Sequence, residues 1–239
     1  MHLLDLQRAT ATRLTGACVG LLLGISCNAQ AASVSILVCD GQPIEVSGDD
    51  PEAMDEICAA SLAALRYFAT LDMAPTHTIR IELTGKAVAH GQGPAYGLYD
   101  GSREHLQLMS LGAITVQRPP PTLFDRAIDH AMYAGLVTHE LMHAVAQQHR
   151  RVETLGVVAQ EYLAYAAQRA TLPEPLRLEI VGSAGVSAWE KGDTISEIYL
   201  GLNVHRFAVK SYLHLRDHRD PAAFVQEVLS SRGWSFQAN

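Results

Sequence analysis

The sequence predicts an α+β fold in which helices pack on one side of a small, mostly antiparallel sheet. Strand-like segments lie in the first half of the chain and helical segments in the second half. The chain of 239 residues is 48% hydrophobic and 18% charged, which suits one globular domain and excludes a disordered or fibrous protein. We expect this domain to comprise residues 32–239.

Residues 1–31 are predicted to be a signal peptide, because Arg8 and Arg13 precede an apolar run that small residues follow. The apolar run, residues 14–26, is about 13 residues long, whereas a membrane span needs about 20. We expect cleavage after Ala31, a periplasmic or secreted protein, and no membrane contact after cleavage. A lipoprotein signal ending at Cys27 is the alternative.

Two cysteines, Cys39 and Cys58, remain after removal of the signal peptide. An even pair of cysteines in a chain bound for an oxidising compartment predicts a disulfide between them. Two separate buried thiols are the alternative.

The strand predictions depend on residue type and alternation. The first segment is rich in Val and Ile, the third alternates apolar and polar residues, and Asp100-Gly101 offers a turn between the last two. The glycine-rich residues 85–97 are predicted to form a long loop. The predicted strands are residues 34–39, 44–46, 78–83, 96–99 and 104–109.

The helix predictions depend on apolar spacing and on capping residues. Asp50-Pro51 and Asp220-Pro221 are helix starts, since Asp caps a helix and Pro suits its first position. Pro173 is expected to end a helix. The predicted helices are residues 52–71, 122–150, 156–170, 194–216 and a short one opened by Asp220.

The charge pattern argues against nucleic acid as a partner. The net charge is −7, and no long run of like charges occurs. Eleven histidines are a more informative feature, because histidine is the commonest metal ligand.

Two of these histidines form the motif His139-Glu140-Leu141-Met142-His143 on a predicted helix. Residues four apart lie on one helical face, about 6 Å apart along the axis, so both imidazoles can reach one ion. Glu140 is one position further along and lies beside the ion, where it can take a proton from a metal-bound water.

Glu161 is the candidate third ligand, since a hydrolytic zinc site needs three protein ligands and an open position. A helix that passes His143 and a second helix that returns from near Gly156 travel similar distances to reach Glu161. This helical hairpin predicts a His2Glu ligand set. A solvent-exposed helix acid is the alternative for Glu161.

The stretch from Val137 to Val145, followed by Glu161 and Ala164, resembles the signature of the gluzincins. Gluzincins are the thermolysin-like superfamily of zinc metallopeptidases. One position departs from the pattern: gluzincins often carry an acid four residues after the ligand glutamate, and that residue is Tyr165 here. Another residue must then orient a ligand histidine, or the metal site is weaker than usual.

The resemblance implies one Zn²⁺ bound by His139, His143 and Glu161, with Glu140 as general base. It also implies a zincin-like fold, in which an edge strand holds an extended peptide above the active-site helix. Residues 96–109 would supply that strand.

These residues predict a zinc-dependent hydrolase, most specifically a peptidase acting on a peptide or protein. A further hydrogen-bond donor should stabilise the oxyanion. The candidate donors are Tyr162, Tyr165, Tyr199, His205 and His214.

Two other functions remain open. One is a catalytically inactive zinc-binding protein, in which the ligands only join two helices. The other is a binding module without metal, in which the histidines meet by chance. The ligand set would also accept iron, manganese or cobalt.

Overall fold

The computed structural model describes residues 34–90 and 93–239. The predicted signal peptide and the alternative at Cys27 lie outside these residues. The strands are β1 (Ser35–Val38), β2 (Ile44–Gly48), β3 (Ile79–Thr84), β4 (Val88–His90), β5 (Gly93–Ala95), β6 (Gly97–Asp100), β7 (His105–Met109), β8 (Thr122–Leu123), β9 (Arg126–Ala127), β10 (Thr194–Ser196) and β11 (Ser235–Gln237).

The predicted α+β class is confirmed, but its sheet is mixed rather than mostly antiparallel. Five strands pair in the order β1-β2-β3-β7-β6. The outer pairs are antiparallel, whereas β2–β3 and β3–β7 are parallel. Parallel neighbours need a crossover connection. The first helix makes this crossover between β2 and β3, and the segment carrying β4 to β6 connects β3 to β7.

The predicted hairpin of residues 96–109 is present as β6 and β7, with β6 at the edge of the sheet. The predicted loop 85–97 differs, because β4 and β5 form a short hairpin within it. The edge position of β6 matters for function, since it faces the helix that carries the metal-site motif.

Eight helices follow or interrupt the strands in the described part of the chain. They are α1 (Pro51–Ala69), α2 (Leu111–Thr115), α3 (His130–His149), α4 (Val157–Ala170), α5 (Glu174–Ala184), α6 (Glu197–Leu202), α7 (Val204–Asp217) and α8 (Pro221–Val228). The predicted caps hold, because Asp50 and Asp220 each accept a hydrogen bond from the backbone three residues later.

The predicted helix 122–150 begins too early. In the structure, α3 starts at His130, and the Asp129 side chain accepts a hydrogen bond from Met132 N at 2.9 Å. The preceding residues form the β8–β9 hairpin instead. Its two turn residues, Phe124 and Asp125, have φ of 54° and 61°. Positive φ at both central residues is the geometry of a tight two-residue hairpin turn, which helical spacing does not reveal.

Two further differences concern prolines and polar caps. Helix α4 ends at Ala170, before Pro173 as predicted, but a further helix, α5, follows directly, with Pro175 in its first turn, where proline is tolerated. The predicted helix 194–216 is divided into β10, α6 and α7. Asn203 separates α6 from α7, because its side chain caps α7 by accepting a hydrogen bond from Arg206 N at 2.9 Å.

Helix α3 occupies the centre of the molecule. It packs against α1 and β6 on one side and against α4 on another, and α7 covers α4. Val137, Leu141 and Met142 of α3 are fully buried. In the ranges 34–90 and 93–239, no helix is both long and apolar enough to cross a membrane.

The predicted disulfide is present between Cys39, just after β1, and Cys58 in α1. It joins residues 19 positions apart and ties the edge of the sheet to the helix beneath it. Both cysteines are buried.

Reduction of this disulfide is expected to lower the free energy of unfolding by about 3 kcal/mol, because the open loop gains conformational entropy in the unfolded chain. Urea unfolding of the oxidised and reduced protein measures the difference. The control is a variant carrying Cys39→Ala and Cys58→Ala, whose unfolding midpoint should not respond to reductant. Equal midpoints for oxidised and reduced wild type would contradict the prediction.

Candidate metal centre

The motif histidines lie on one face of α3, as the spacing predicts. The rings of His139 and His143 are 4.7 Å apart between centroids, and their Nε2 atoms are 3.1 Å apart. His139 is buried, and the side chain of His143 is only 12% exposed. Such buried imidazoles are costly unless their nitrogens bind something.

Glu161 reaches the same point from α4. Its Oε2 lies 3.6 Å from His139 Nε2, and its Oε1 lies 3.5 Å from His143 Nε2. Helix α3 ends at His149 and α4 begins at Val157, so the chain makes the predicted helical hairpin. The three side chains therefore meet, each offering a ligand atom, with all these atoms within 4.8 Å of one another.

The spacing of these atoms fits a tetrahedral metal ion. Zinc ligands at about 2.0–2.2 Å from the ion in tetrahedral geometry are about 3.3–3.6 Å apart. Each Glu161 oxygen lies at such a distance from one histidine, Oε2 at 3.6 Å from His139 and Oε1 at 3.5 Å from His143, and the two Nε2 atoms are slightly closer, at 3.1 Å. His139, His143 and Glu161 could thus hold one ion with a fourth position left for water or substrate.

Burial keeps both imidazoles neutral, which leaves their lone pairs free for a metal. It lowers the pKa of His143 to about 4. Burial lowers the pKa of His139 far below its ordinary value, and the nearby His143 and Arg169 lower it further. The Gln168 side chain opposes this shift. A metal can bind neutral histidine without displacing a proton.

The two carboxyl groups are shifted in the opposite direction. Burial raises the pKa of Glu161 to about 7. The pKa of Glu140 rises to about 8, mainly through burial and then through the charge of Glu161, while a hydrogen bond from the backbone N–H of Tyr99 opposes the rise. Both acids are therefore poised near neutral pH.

Zinc affinity is expected to fall about tenfold for each pH unit below about 7, because Glu161 must lose one proton before it can act as a ligand. A raised acid pKa means that protonation competes with metal binding below that pKa, and the neutral histidines add no further proton until a more acidic pH. Competition with a chelator from pH 5.5 to 8 measures this dependence.

Glu161→Gln is the control for that titration, since an amide ligand binds zinc more weakly but has no proton to lose. Its affinity should show no step near pH 7. A wild-type affinity that is flat between pH 5.5 and 7 would contradict the prediction.

Strand β6 lies directly against the general-base candidate. A Cβ atom on Gly97 would meet Glu140 Cγ at 2.6 Å and Glu140 Oε1 at 2.9 Å. Only glycine permits this approach. Together with the N–H of Tyr99, Gly97 fixes the position of the Glu140 carboxylate.

A cleft of about 430 Å³ opens between β6 and the α3–α4 pair, with the metal-site residues at its floor. Tyr99 and Tyr165 are its aromatic walls, and the Tyr165 ring lies 4.5 Å from the His139 ring between centroids. A narrow extension of the cleft continues past Tyr165 to Leu123 and Gln168.

Of the five predicted oxyanion donors, Tyr165 alone lines this cleft. The Tyr162 hydroxyl is hydrogen-bonded to His214 Nδ1 at 2.7 Å, within the core. Tyr199 packs on Trp189. His205 lines a different cavity beside Phe124.

Gln168 is the hydrogen-bonding side chain beside His139 that the sequence interpretation missed. It is 2% exposed, and it lies one turn beyond Tyr165 on α4. Gly135, one turn before His139, makes room for it: a Cβ there would lie 3.3 Å from Gln168 Cγ. Neither His139 Nδ1 nor Gln168 Oε1 has a partner at hydrogen-bonding distance, yet the Gln168 side chain is near enough to raise the pKa of His139.

Three residues of the centre were thus not identified from the sequence: Gly97, Tyr99 and Gln168. Gly97 carried a signal, namely the high glycine content of residues 85–97. Tyr99 lies in the hairpin predicted to border the active-site helix, although its role was not identified. Gln168 carried no signal, because it reaches the site through packing of α4 on α3.

No curated protein and no solved structure matches the chain. A profile described as "Family of unknown function (DUF6639)" matches residues 44–238. The match runs from β2 to the last strand and includes every residue of the candidate metal centre. The chain therefore belongs to DUF6639, a family of unknown function.

Proposed function

We propose that this protein is a zinc-dependent hydrolase that cleaves peptide bonds. The observation that carries the proposal is the convergence of His139, His143 and Glu161 at tetrahedral ligand spacing, with a buried Glu140 beside them at the floor of a cleft. A buried acid that is not a ligand has little structural reason to be there, whereas it suits a general base.

Zinc, when bound, would act as a Lewis acid and lower the pKa of a bound water toward about 7. Glu140 takes up the proton in this proposal. Burial and the charge of Glu161 raise its pKa to about 8, and a bound cation would offset both effects and favour the carboxylate that accepts the proton. The proton would then pass to the leaving amine. Gly97 and the Tyr99 N–H keep its carboxylate in one orientation.

Tyr165 is the proposed donor to the oxyanion. Burial, with the charges of Glu161 and Glu140, raises the pKa of its phenol, so the hydroxyl keeps its proton at neutral pH. The aromatic ring lies against His139, which places it at the edge of the metal site. A protonated phenol can donate to the charge that develops in the transition state.

An extended peptide is the substrate that the cleft suits best. Strand β6 is the edge of the five-stranded sheet and borders the cleft through Gly97, Leu98 and Tyr99. An edge strand offers unpaired backbone donors and acceptors to an added strand. This arrangement supports the zincin-like mode of substrate binding. The Cys39–Cys58 disulfide supports the proposed periplasmic or secreted location.

Gln168 is proposed to orient His139 in the metal-bound protein. Gluzincins often use an acid at the position of Tyr165 for this purpose, and a tyrosine cannot replace its carboxylate. Gln168→Leu is expected to weaken zinc affinity about 10- to 100-fold, as loss of a partner behind a ligand histidine typically does. Gln168→Glu keeps an acceptor and should bind zinc as the wild type does. Chelator competition measures both.

The control for Gln168 is Gln148→Leu, the same change on α3, where Gln148 contacts only Thr76 and the His77 backbone. Its zinc affinity should not change. Tight zinc binding by Gln168→Leu would refute the assignment.

The proposed function is tested by metal analysis followed by cleavage of a mixed peptide library. About one zinc per chain and zinc-dependent cleavage are expected. Zinc binding without cleavage would favour the inactive zinc-binding protein, in which the ion joins α3 to α4. A chain without zinc affinity would favour the metal-free binding module.

A further inference from the structure

Arg169 is the most deeply buried charge in the described part of the chain. Its side chain is 0% exposed, and none of its three guanidinium nitrogens has a hydrogen-bond partner. Burial lowers its pKa to about 9, so it still carries its charge at neutral pH. An unpaired buried charge is strongly unfavourable, which indicates that a partner is missing.

A second unsatisfied group lies beside it. His205 Nε2 is buried without a partner, and the His205 ring is 5.4 Å from the Phe124 ring between centroids. The Arg169 guanidinium lies over the same ring, with Cζ 3.6 Å from its centroid. Phe124 thus contacts two side chains that carry buried nitrogens without hydrogen-bond partners.

No carboxylate of the described residues pairs with Arg169. Glu179 is engaged by Arg126, and Asp125 lies exposed at the tip of the β8–β9 turn. Glu140 and Glu161 belong to the metal centre, and neither forms an ion pair with Arg169. The acceptor for Arg169 is therefore not among the described residues.

Arg169 does not itself line the cleft, but it lies behind Phe124 and near the metal-site histidine His139. Its charge is near enough to lower the pKa of His139, and Tyr165 lies between the two, with its ring against His139 and 6.1 Å from Phe124 between centroids. The extension of the cleft past Tyr165 ends at Leu123, the residue before Phe124. A group attached to a peptide in the cleft would approach Arg169 from this end.

Phe124 is the side chain that a ligand has to displace. It stands in a two-residue turn at positive φ, which is unfavourable for an aromatic residue, and the hairpin around it has only two pairs of residues. A cavity of about 190 Å³ that Phe124 itself lines, together with Ser183 and His205 among others, offers room for the ring to move.

We propose that Arg169 binds the C-terminal carboxylate of a peptide, so that the enzyme cleaves close to the free carboxyl end of its substrate. The inference rests on the proposed peptidase function and names its substrate class. The guanidinium fork matches a carboxylate in two parallel hydrogen bonds. A single uncompensated positive charge also suits a carboxylate, which carries one negative charge, better than a doubly charged phosphate.

The test compares two short peptides that are identical except for a free carboxylate or an amide at the C-terminus. The zinc-loaded protein should cleave and bind the free acid about 10- to 100-fold better, as expected for charge-assisted hydrogen bonds. Binding is measured as Kd in the zinc-loaded Glu140→Gln variant, so this readout does not depend on turnover. Equal Kd values for acid and amide, or no binding of either, would overturn the proposal.

Arg169→Met is the decisive variant, and Arg126→Met is its matched control on the neighbouring hairpin. Arg169→Met should reduce the acid-to-amide ratio to less than about threefold, while Arg126→Met should keep it. The Tm of Arg169→Met should rise, because an unpaired charge leaves the core and no partner loses a bond. A ratio that survives in Arg169→Met would overturn the assignment.

Two outcomes distinguish failure of the carboxylate site from failure of the proposed peptidase function. If both peptides resist cleavage but the acid binds more tightly, the carboxylate site stands and the peptidase function fails. If acetate alone raises the Tm of wild type but not of Arg169→Met, and the peptides are not distinguished, the site binds free small anions and the substrate proposal is overturned.

Discussion

Replacement of Glu140 by glutamine is expected to lower kcat/KM for peptide cleavage by about 100- to 10,000-fold, the range that a general base supplies. The amide fills the same buried space beside Gly97 but cannot accept a proton. Because Glu140 is not among the three converging ligands, zinc should remain bound. Steady-state kinetics and metal analysis of the same preparation separate these two effects.

The matched control is Glu153→Gln, which makes the same change at an exposed position between α3 and α4. Its kcat/KM should equal that of wild type. If Glu140→Gln retained more than a tenth of the wild-type rate with full zinc occupancy, Glu140 would not be the base.

The Gly97→Ala variant is expected to lose about 100-fold or more in kcat while retaining its zinc, because a base that loses its position loses the rate it supplies. The added methyl group would overlap Glu140, with Cβ only 2.6 Å from its Cγ. Either β6 moves away from α3 or the carboxylate rotates out of place. The same overlap should cost about 1–3 kcal/mol of stability.

Gly112→Ala is the control for this change, since a Cβ at Gly112 meets nothing within 4 Å. It should leave kcat at the wild-type level and should not lower stability, since alanine is favoured over glycine in a helix such as α2. A fully active Gly97→Ala variant would show that Glu140 does not depend on β6 for its position.

Local patterns were sufficient to predict most elements of this fold. The caps at Asp50 and Asp220 and the β6–β7 hairpin depend on neighbouring residues, and the structure contains them. Strand direction depends on which distant strands meet, and the crossover through α1 makes β2 and β3 parallel. The tight turn at Phe124 was missed because neither of its residues is a glycine or an asparagine.

The residues of the metal centre likewise fall into those that local sequence predicts and those that it does not. His139 and His143 follow from helical spacing, and Glu161 follows from the length of two helices joined by a short connection. Gly97 and Gln168 reach the centre across the β6–α3 and α3–α4 contacts. Sequence spacing carries no information about such contacts, because they depend on how close two packed elements approach.

The α3–α4 hairpin has a consequence for the order of assembly. All three candidate ligands lie between positions 139 and 161, so the metal site needs only one contact of short sequence separation. Local contacts form early in folding, because little chain entropy is lost in closing them. If the proposed site binds its ion, the hairpin can capture it before α7 covers α4, and we expect the yield of folded protein in refolding to rise with the zinc supplied.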